Sequence, residues 1–381
     1  MSRVNIKSEM FQWASERSGK TFDVLRKRFP KIGLWAQGKA QPTLKQLEQF
    51  AKATYTPVGF LFLQKPPVEV VPIPDFRTVG NEFIGHPSPD LLDTVYICQQ
   101  RQEWYRDYAR MTGEKPFSFV ASVSSQDKVE EVAEGMRRAL GFNVEERRQM
   151  PTWTDALRRF IDQADSIGIL VMVSGVVGSN NKRRLDPQEF RGFALADEYA
   201  PLVFINGSDT KAAQMFTLAH ELAHIWIGQT AVTDAQALQL PDNDIERWCN
   251  MVAAEFLVPR FILRNEYQKN AVLSDEANRL ARVFKVSTLV ILRRIYDVKG
   301  ITKEQFWQAY HEELERLGSL SSGSGGNYYL TQAARVSKRF ARALVSSTLE
   351  GQTLHRDAFR MLGFSKLKTF KDLGRSLGII G

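Results

Sequence analysis

The tightest constraint on this chain is a five-residue pattern, His220-Glu221-Leu222-Ala223-His224, inside a segment, 211–227, that reads as helix. On an α-helix, residues i and i+4 sit one turn apart on the same face. Two imidazoles so placed can converge on one zinc ion, with zinc–nitrogen distances of about 2.0–2.1 Å. Glu221, next to the first of them, can reach a metal-bound water, whose pKa zinc lowers toward ~7, and can pass its proton to a leaving amine. A helix with two structural histidines is the bland alternative. Against it stands the scarcity of histidine: there are five in 381 residues, and two fall at this spacing.

A catalytic zinc needs a third protein ligand and an open position. No third histidine follows closely, so the candidates are carboxylates in Asp242–Pro259. Glu246 and Asn250 are i and i+4 on one face of a second helix, which lets Glu246 bind metal while Asn250 supports a ligand histidine. Glu255 lies roughly half a rotation further round at 3.6 residues per turn, so it and Glu246 cannot face one ion. Glu246 is preferred, with Glu255 second, and Asp244 and Cys249 behind them. A hairpin precedes the metal helix, and a strand such as 201–206 can bind an extended peptide if it lies at a sheet edge. It can equally be a plain core strand.

Around this site the chain is mostly helical, with a period change at 168–177, 190–195 and 201–206 that predicts three strands, the last two a hairpin. The fold expected is α+β. Helices are expected near 6–18, 22–29, 44–54, 89–112, 126–140 and 152–166, and from 210 to about 317. Prolines 66, 67, 72, 74 and 87 make 64–88 an extended connector. The divisions are thus 1–63, a small helical head; 64–88, the connector; 89–317, the core; 318–327, a Gly/Ser linker; and 328–381, a basic helical region.

Charge follows the same divisions. Residues 1–65 hold 12 Lys/Arg against 4 Asp/Glu, residues 66–317 hold 29 against 36, and residues 318–381 hold 10 against 3. Basic ends attract nucleic acid or an acidic partner, or are simply solvated surface. The longest apolar stretches, 55–63 and 168–178, fall short of the ~20 residues that span a bilayer. The first residues carry no apolar signal core, and two cysteines make no disulfide framework. A cytoplasmic protein without a membrane segment is expected.

His220-Glu-Leu-Ala-His224, then Glu246-x-x-Cys-Asn-x-x-Ala-Ala-Glu-Phe-Leu-Val-Pro259, then Arg282-Val-Phe-Lys-Val-Ser287 resemble the ImmA/IrrE family of metallopeptidases over roughly residues 165–300. The connector Pro72-Ile-Pro-Asp-Phe-Arg-Thr78 is similar to members with an N-terminal helix-turn-helix. The resemblance implies a zincin-like core of gluzincin type with one Zn²⁺ per chain. It implies His220, His224 and Glu246 as ligands and Glu221 as general base. It also implies cleavage of a regulatory protein, a repressor or antitoxin. A second reading follows from the fused head: a DNA-binding regulator or antitoxin of a toxin–antitoxin or mobile-element locus, its metal fold serving as scaffold or sensor. The expected partner is then a repressor, antitoxin or toxin, and a homodimer is compatible with either reading.

Residues 5–55 resemble an XRE-type helix-turn-helix through Trp35-x-x-Gly38-x-x-x-Pro42-Thr43-x-x-x-Leu47. Arg26, Lys27, Arg28, Lys31 and Lys39 can contact phosphates, and Gln37 and Gln41 can read a base. A head that only dimerises or holds a protein is the alternative. Residues 277–296 also have a helix-turn-helix outline, but their apolar positions read as core. His311, His355, Tyr267 and Arg264 compete as a donor to the scissile carbonyl, and spacing selects none of them.

Overall fold

The computed structural model describes residues 3–76, 78–79, 82–83, 87–233, 243–318 and 335–380. It forms two compact units, Met1–Pro72 with Ile84–Val95, and Ile73–Phe83 with Tyr96–Gly381. Beyond Gly318, the expected Gly/Ser linker lies outside the described residues.

In the first unit, α1 (Ser8–Arg17), α2 (Phe22–Arg26), α3 (Ile32–Ala36) and α4 (Leu44–Ala53) precede a 3₁₀ turn, Val58–Phe62. Met10, Phe11, Leu25, Phe29, Trp35, Leu47 and Phe50 make its core. Thr43 caps α4 through a capping box with Gln46. The sequence analysis places no helix where α3 stands. Five residues including Gly33 give too little periodicity to announce a helix, and what holds them is burial of Ile32 and Trp35.

The second unit is mostly helical around a small sheet. Its helices begin with the part of α5 (Pro89–Met111) beyond Val95, followed by α6 (Val129–Leu140), α7 (Val144–Gln149) and α8 (Trp153–Ser166). A two-residue ribbon, β1 (Thr78–Val79) and β2 (Glu82–Phe83), stands apart from the main sheet. That sheet has the order β3 (Leu170–Ser174), β5 (Leu202–Asn206), β4 (Gly192–Leu195), β6 (Ala231–Thr233). β3 and β5 are parallel; β4 pairs antiparallel with β5 (Phe193 opposite Phe204) and with β6 (Phe193 opposite Val232). The predicted hairpin is therefore present, but β5 is an interior strand. All five of its residues are buried, as an unalternating apolar run requires. The peptide-binding edge considered for 201–206 is not there.

α9 (Lys211–Ile227) and α10 (Asp244–Leu257) pack together beneath the sheet's helical side. Thr210 accepts the Ala213 amide at the start of α9, and Gly228, at φ 76°, ends it. Asn243 caps α10 through the Ile245 amide. Phe142, Phe160 and Phe256 stack at 4.3–5.4 Å in the surrounding core. α11 (Arg260–Glu266), α12 (Leu273–Phe284), α13 (Thr288–Asp297) and α14 (Lys303–Gly318) follow. α12 and α13 have the outline of a helix-turn-helix, with Lys285 in the left-handed region and Ser287 capping α13. However, Val290, Ile291, Leu292, Arg294 and Ile295 are buried, so α13 offers no face to a groove.

The basic C-terminal region, α15 (Lys338–Leu349), α16 (His355–Leu362) and α17 (Leu367–Ser376), belongs to this same unit. Ser337 hydrogen-bonds buried Asp165 at 2.7 Å, Lys338 pairs with Asp162 at 2.6 Å, and Arg339 meets Tyr105 and Glu114 at 2.6 and 2.8 Å. Part of its positive charge is thus paired against the core. No helix among the described residues is long and apolar enough to cross a membrane.

Candidate metal centre

α9 is buried almost along its length, and His220, Glu221 and His224 have no exposed surface. α10 brings Glu246 against them from its first turn. His220 Nε2 and His224 Nε2 lie 3.1 Å apart; each is close to one Glu246 oxygen, at 3.1 and 3.0 Å. Among the described residues, these three side chains group as metal-ligating atoms all within 4.8 Å of one another. An ion bonded at about 2.0–2.1 Å separates two tetrahedral ligands by roughly 3.3 Å, so the triangle is of the size one zinc needs. Three Lewis-basic groups converging in a dry core are costly without a cation among them. The donor set therefore fits zinc.

The electrostatics are those of a tightly coupled buried cluster. Burial would raise Glu246, but the two imidazoles hold it down to about 2. Burial also pushes both histidines down; Glu246 opposes it, and the balance raises His220 and lowers His224. Burial pushes Glu221 up to about 8, against the pull of His220 and of a hydroxyl bond from Thr233. That bond ties the Glu221 Oε1 to Thr233 at the end of β6, and Oε2 has no hydrogen-bond partner among the described residues. Gly192, opposite Thr233 on β4, leaves the room. A Cβ there would sit 2.6 Å from Thr217 and 3.0 Å from Glu221 Oε1. Thr233 and Gly192 escaped the sequence reading because neither belongs to a spaced motif; only strand register brings them to Glu221.

The other candidates are placed elsewhere. Glu255 bonds the Arg294 guanidinium and accepts the Arg260 amide at 3.1 Å. Asp244 pairs with Arg247 at the exposed start of α10. Cys249 is buried close by, and burial raises its thiol well above the ordinary value. Asn250 Oδ1 and His220 Nδ1 are both buried with no hydrogen-bond partner among the described residues, and the carboxamide lies near enough to pull on that imidazole. Tyr267 hydroxyl reaches the Gly300 carbonyl, His311 bonds its own helix at the Trp307 carbonyl, His355 packs on Phe359 and Phe370, and Arg264 lines a separate groove.

Residues 164–296 match the family model of the IrrE N-terminal-like domain, peptidase M78. The matched stretch contains α9, the sheet and α10, and is similar to metallopeptidases. Residues 336–376 match a second model, a domain of unknown function (DUF8813). No curated protein and no solved structure matches the chain.

In the first unit Arg26, Lys27, Arg28, Lys31, Gln37 and Lys39 are all exposed. Gln41 is not available to a base: its side chain bonds the Ile6 amide at 3.0 Å.

Proposed function

We propose that the chain is a zinc-dependent endopeptidase acting on a regulatory protein, a repressor or antitoxin, with one ion per chain held by His220, His224 and Glu246. The observation that carries it is the triangle of three buried donor atoms with a buried glutamate beside it. Zinc, when bound, supplies Lewis acidity that brings a coordinated water toward a pKa of about 7. Glu221 takes the proton from the attacking water and returns it to the leaving amine. Thr233 fixes one of its oxygens, and the other has no hydrogen-bond partner among the described residues. Asn250 orients His220.

The test is Glu221→Gln. We expect one zinc per chain in both proteins and cleavage of the partner lowered by about 10²–10⁴-fold in the variant. Equal cleavage removes Glu221 as base, and a zinc-free wild type removes the metal centre.

A second reading has its own support. Six exposed polar and basic side chains lie on a head with its own core, as a DNA-binding regulator requires. In a gel shift with upstream DNA, the triple variant Arg26→Ala, Lys27→Ala, Arg28→Ala weakens binding and reduces the salt slope by roughly one per lost phosphate contact. An unchanged slope assigns the head to a protein partner.

A further inference from the structure

The outer edge of the sheet beside Glu221 is already occupied. β6 is the last strand, and its Val232 turns both backbone groups away from β4. The connector takes both: Val232 N–H donates to Pro74 O at 2.9 Å, and Phe76 N–H donates to Val232 O at 3.0 Å. Asp75 is the parallel partner of Val232. The next residue along β6 is Thr233, whose hydroxyl holds Glu221. An unpaired edge is where an extended peptide adds to a sheet. Here the chain has put three of its own residues in that place.

Pro72 and Pro74 lack amide protons, so the ladder cannot extend toward the N-terminus as a regular strand would. Among the described residues, the backbone pairing of this segment with β6 is two hydrogen bonds, beside the burial of Ile73.

We infer that Pro74–Phe76 is an inhibitory strap: it fills the peptide-pairing edge of β6, and it must leave Val232 before an extended substrate can lie beside Glu221. This rests on the endopeptidase reading above and names how that site is kept closed.

The test joins the strap to its edge. Ladder partners lie within disulfide reach, so the full-length, zinc-loaded Asp75→Cys/Val232→Cys variant is compared oxidised and reduced, with each single variant as control. Phe76→Pro, which removes one of the two donors, loosens the strap without a cross-link. Two readouts are taken: polarisation of a labelled peptide of residues 70–79, which requires no catalysis, and cleavage of the partner protein. We expect peptide binding to be absent in the oxidised form, to return with reductant, and to be roughly tenfold tighter in Phe76→Pro than in wild type, the worth of one strong hydrogen bond. Cleavage should follow the same order. Equal peptide binding in the oxidised and reduced forms overturns the strap. Graded peptide binding with no cleavage in any form leaves the strap standing as the occupant of that edge and counts against the endopeptidase.

Discussion

Helix α10 carries two buried carboxylates nine residues apart, and they meet opposite chemistry. Glu246, in the first turn, faces two imidazoles, which have lone pairs to give. Glu255, in the last turn, faces the Arg294 guanidinium, which has only protons to give. One end can share its carboxylate with a metal, and the other has already committed it to a permanent cation. The lesson is that burial alone does not identify a ligand; what shares the pocket does. The C-terminal end also needs cations for itself. Arg137 donates to the Glu255 and Phe256 carbonyls at 2.8 and 3.3 Å, Arg147 to that of Leu257, and Arg294 to that of Val258 at 2.8–3.0 Å. Three arginines thus satisfy the carbonyls that a helix end leaves over and oppose its negative pole.

Exchanging the two glutamates one at a time gives the largest contrast. Glu246→Gln should abolish stoichiometric zinc, to below about a tenth of an ion per chain by elemental analysis, because two histidines alone do not complete a site. Asn250→Ala, one turn on, should lower zinc affinity by only about 10–100-fold. Glu255→Gln should do the reverse: it takes the nearer of two carboxylates from the buried Arg294 guanidinium, leaving Asp297 at 3.3 Å, and costs about 1–3 kcal/mol in denaturant unfolding, while the folded fraction keeps its zinc. Zinc retained by Glu246→Gln and lost by Glu255→Gln would invert the assignment.

How much of this was legible beforehand depended on how far apart the partners lie in the chain. The two histidines announce themselves because helical spacing is local, and Glu246 could be ranked first because Asn250 shares its face. The reason Glu255 is occupied lies in Arg294, 39 residues away, and no periodicity reports that. β6 was invisible for a related reason. Ala231-Val-Thr233 is too short to show alternation, and without it β5 looked as free to be an edge as to be core. The five-residue α3 was hidden likewise. In the head, the exposed basic side chains were easy to name, but, apart from Arg28 over the buried Phe29 ring at 5.5 Å, no buried group is seen to orient them among the described residues. A motif whose residues are fixed by packing can be read from sequence; one whose residues face solvent leaves only a charge.

The smallest predicted effect separates the two buried arginines. Arg294 holds the Glu255 and Asp297 carboxylates and the Val258 carbonyl, so Arg294→Met takes the nearest cation from buried Glu255 and should cost about 3–5 kcal/mol. Arg147 is as deeply buried but bonds one carbonyl. Its Nε and Nη1 find no hydrogen-bond partner among the described residues, and its guanidinium rests over the Phe142 ring at 5.1 Å. Burial, helped by nearby Arg137, lowers it to about 9. An incompletely satisfied cation gives up little when an apolar chain of similar length replaces it, so Arg147→Met should stay within about 1 kcal/mol of wild type at pH 7.5. The sign of its pH dependence follows from the lowered value. Above about pH 9 the folded wild type can shed this proton while the unfolded chain keeps it, so this residue's contribution to stability rises with pH in that window. The methionine variant has no proton to shed. Its stability relative to wild type should therefore be better at pH 7.5 than at pH 10, read from paired denaturant midpoints, and a difference of opposite sign would mean that Arg147 stays protonated in the fold and is held by more than one carbonyl.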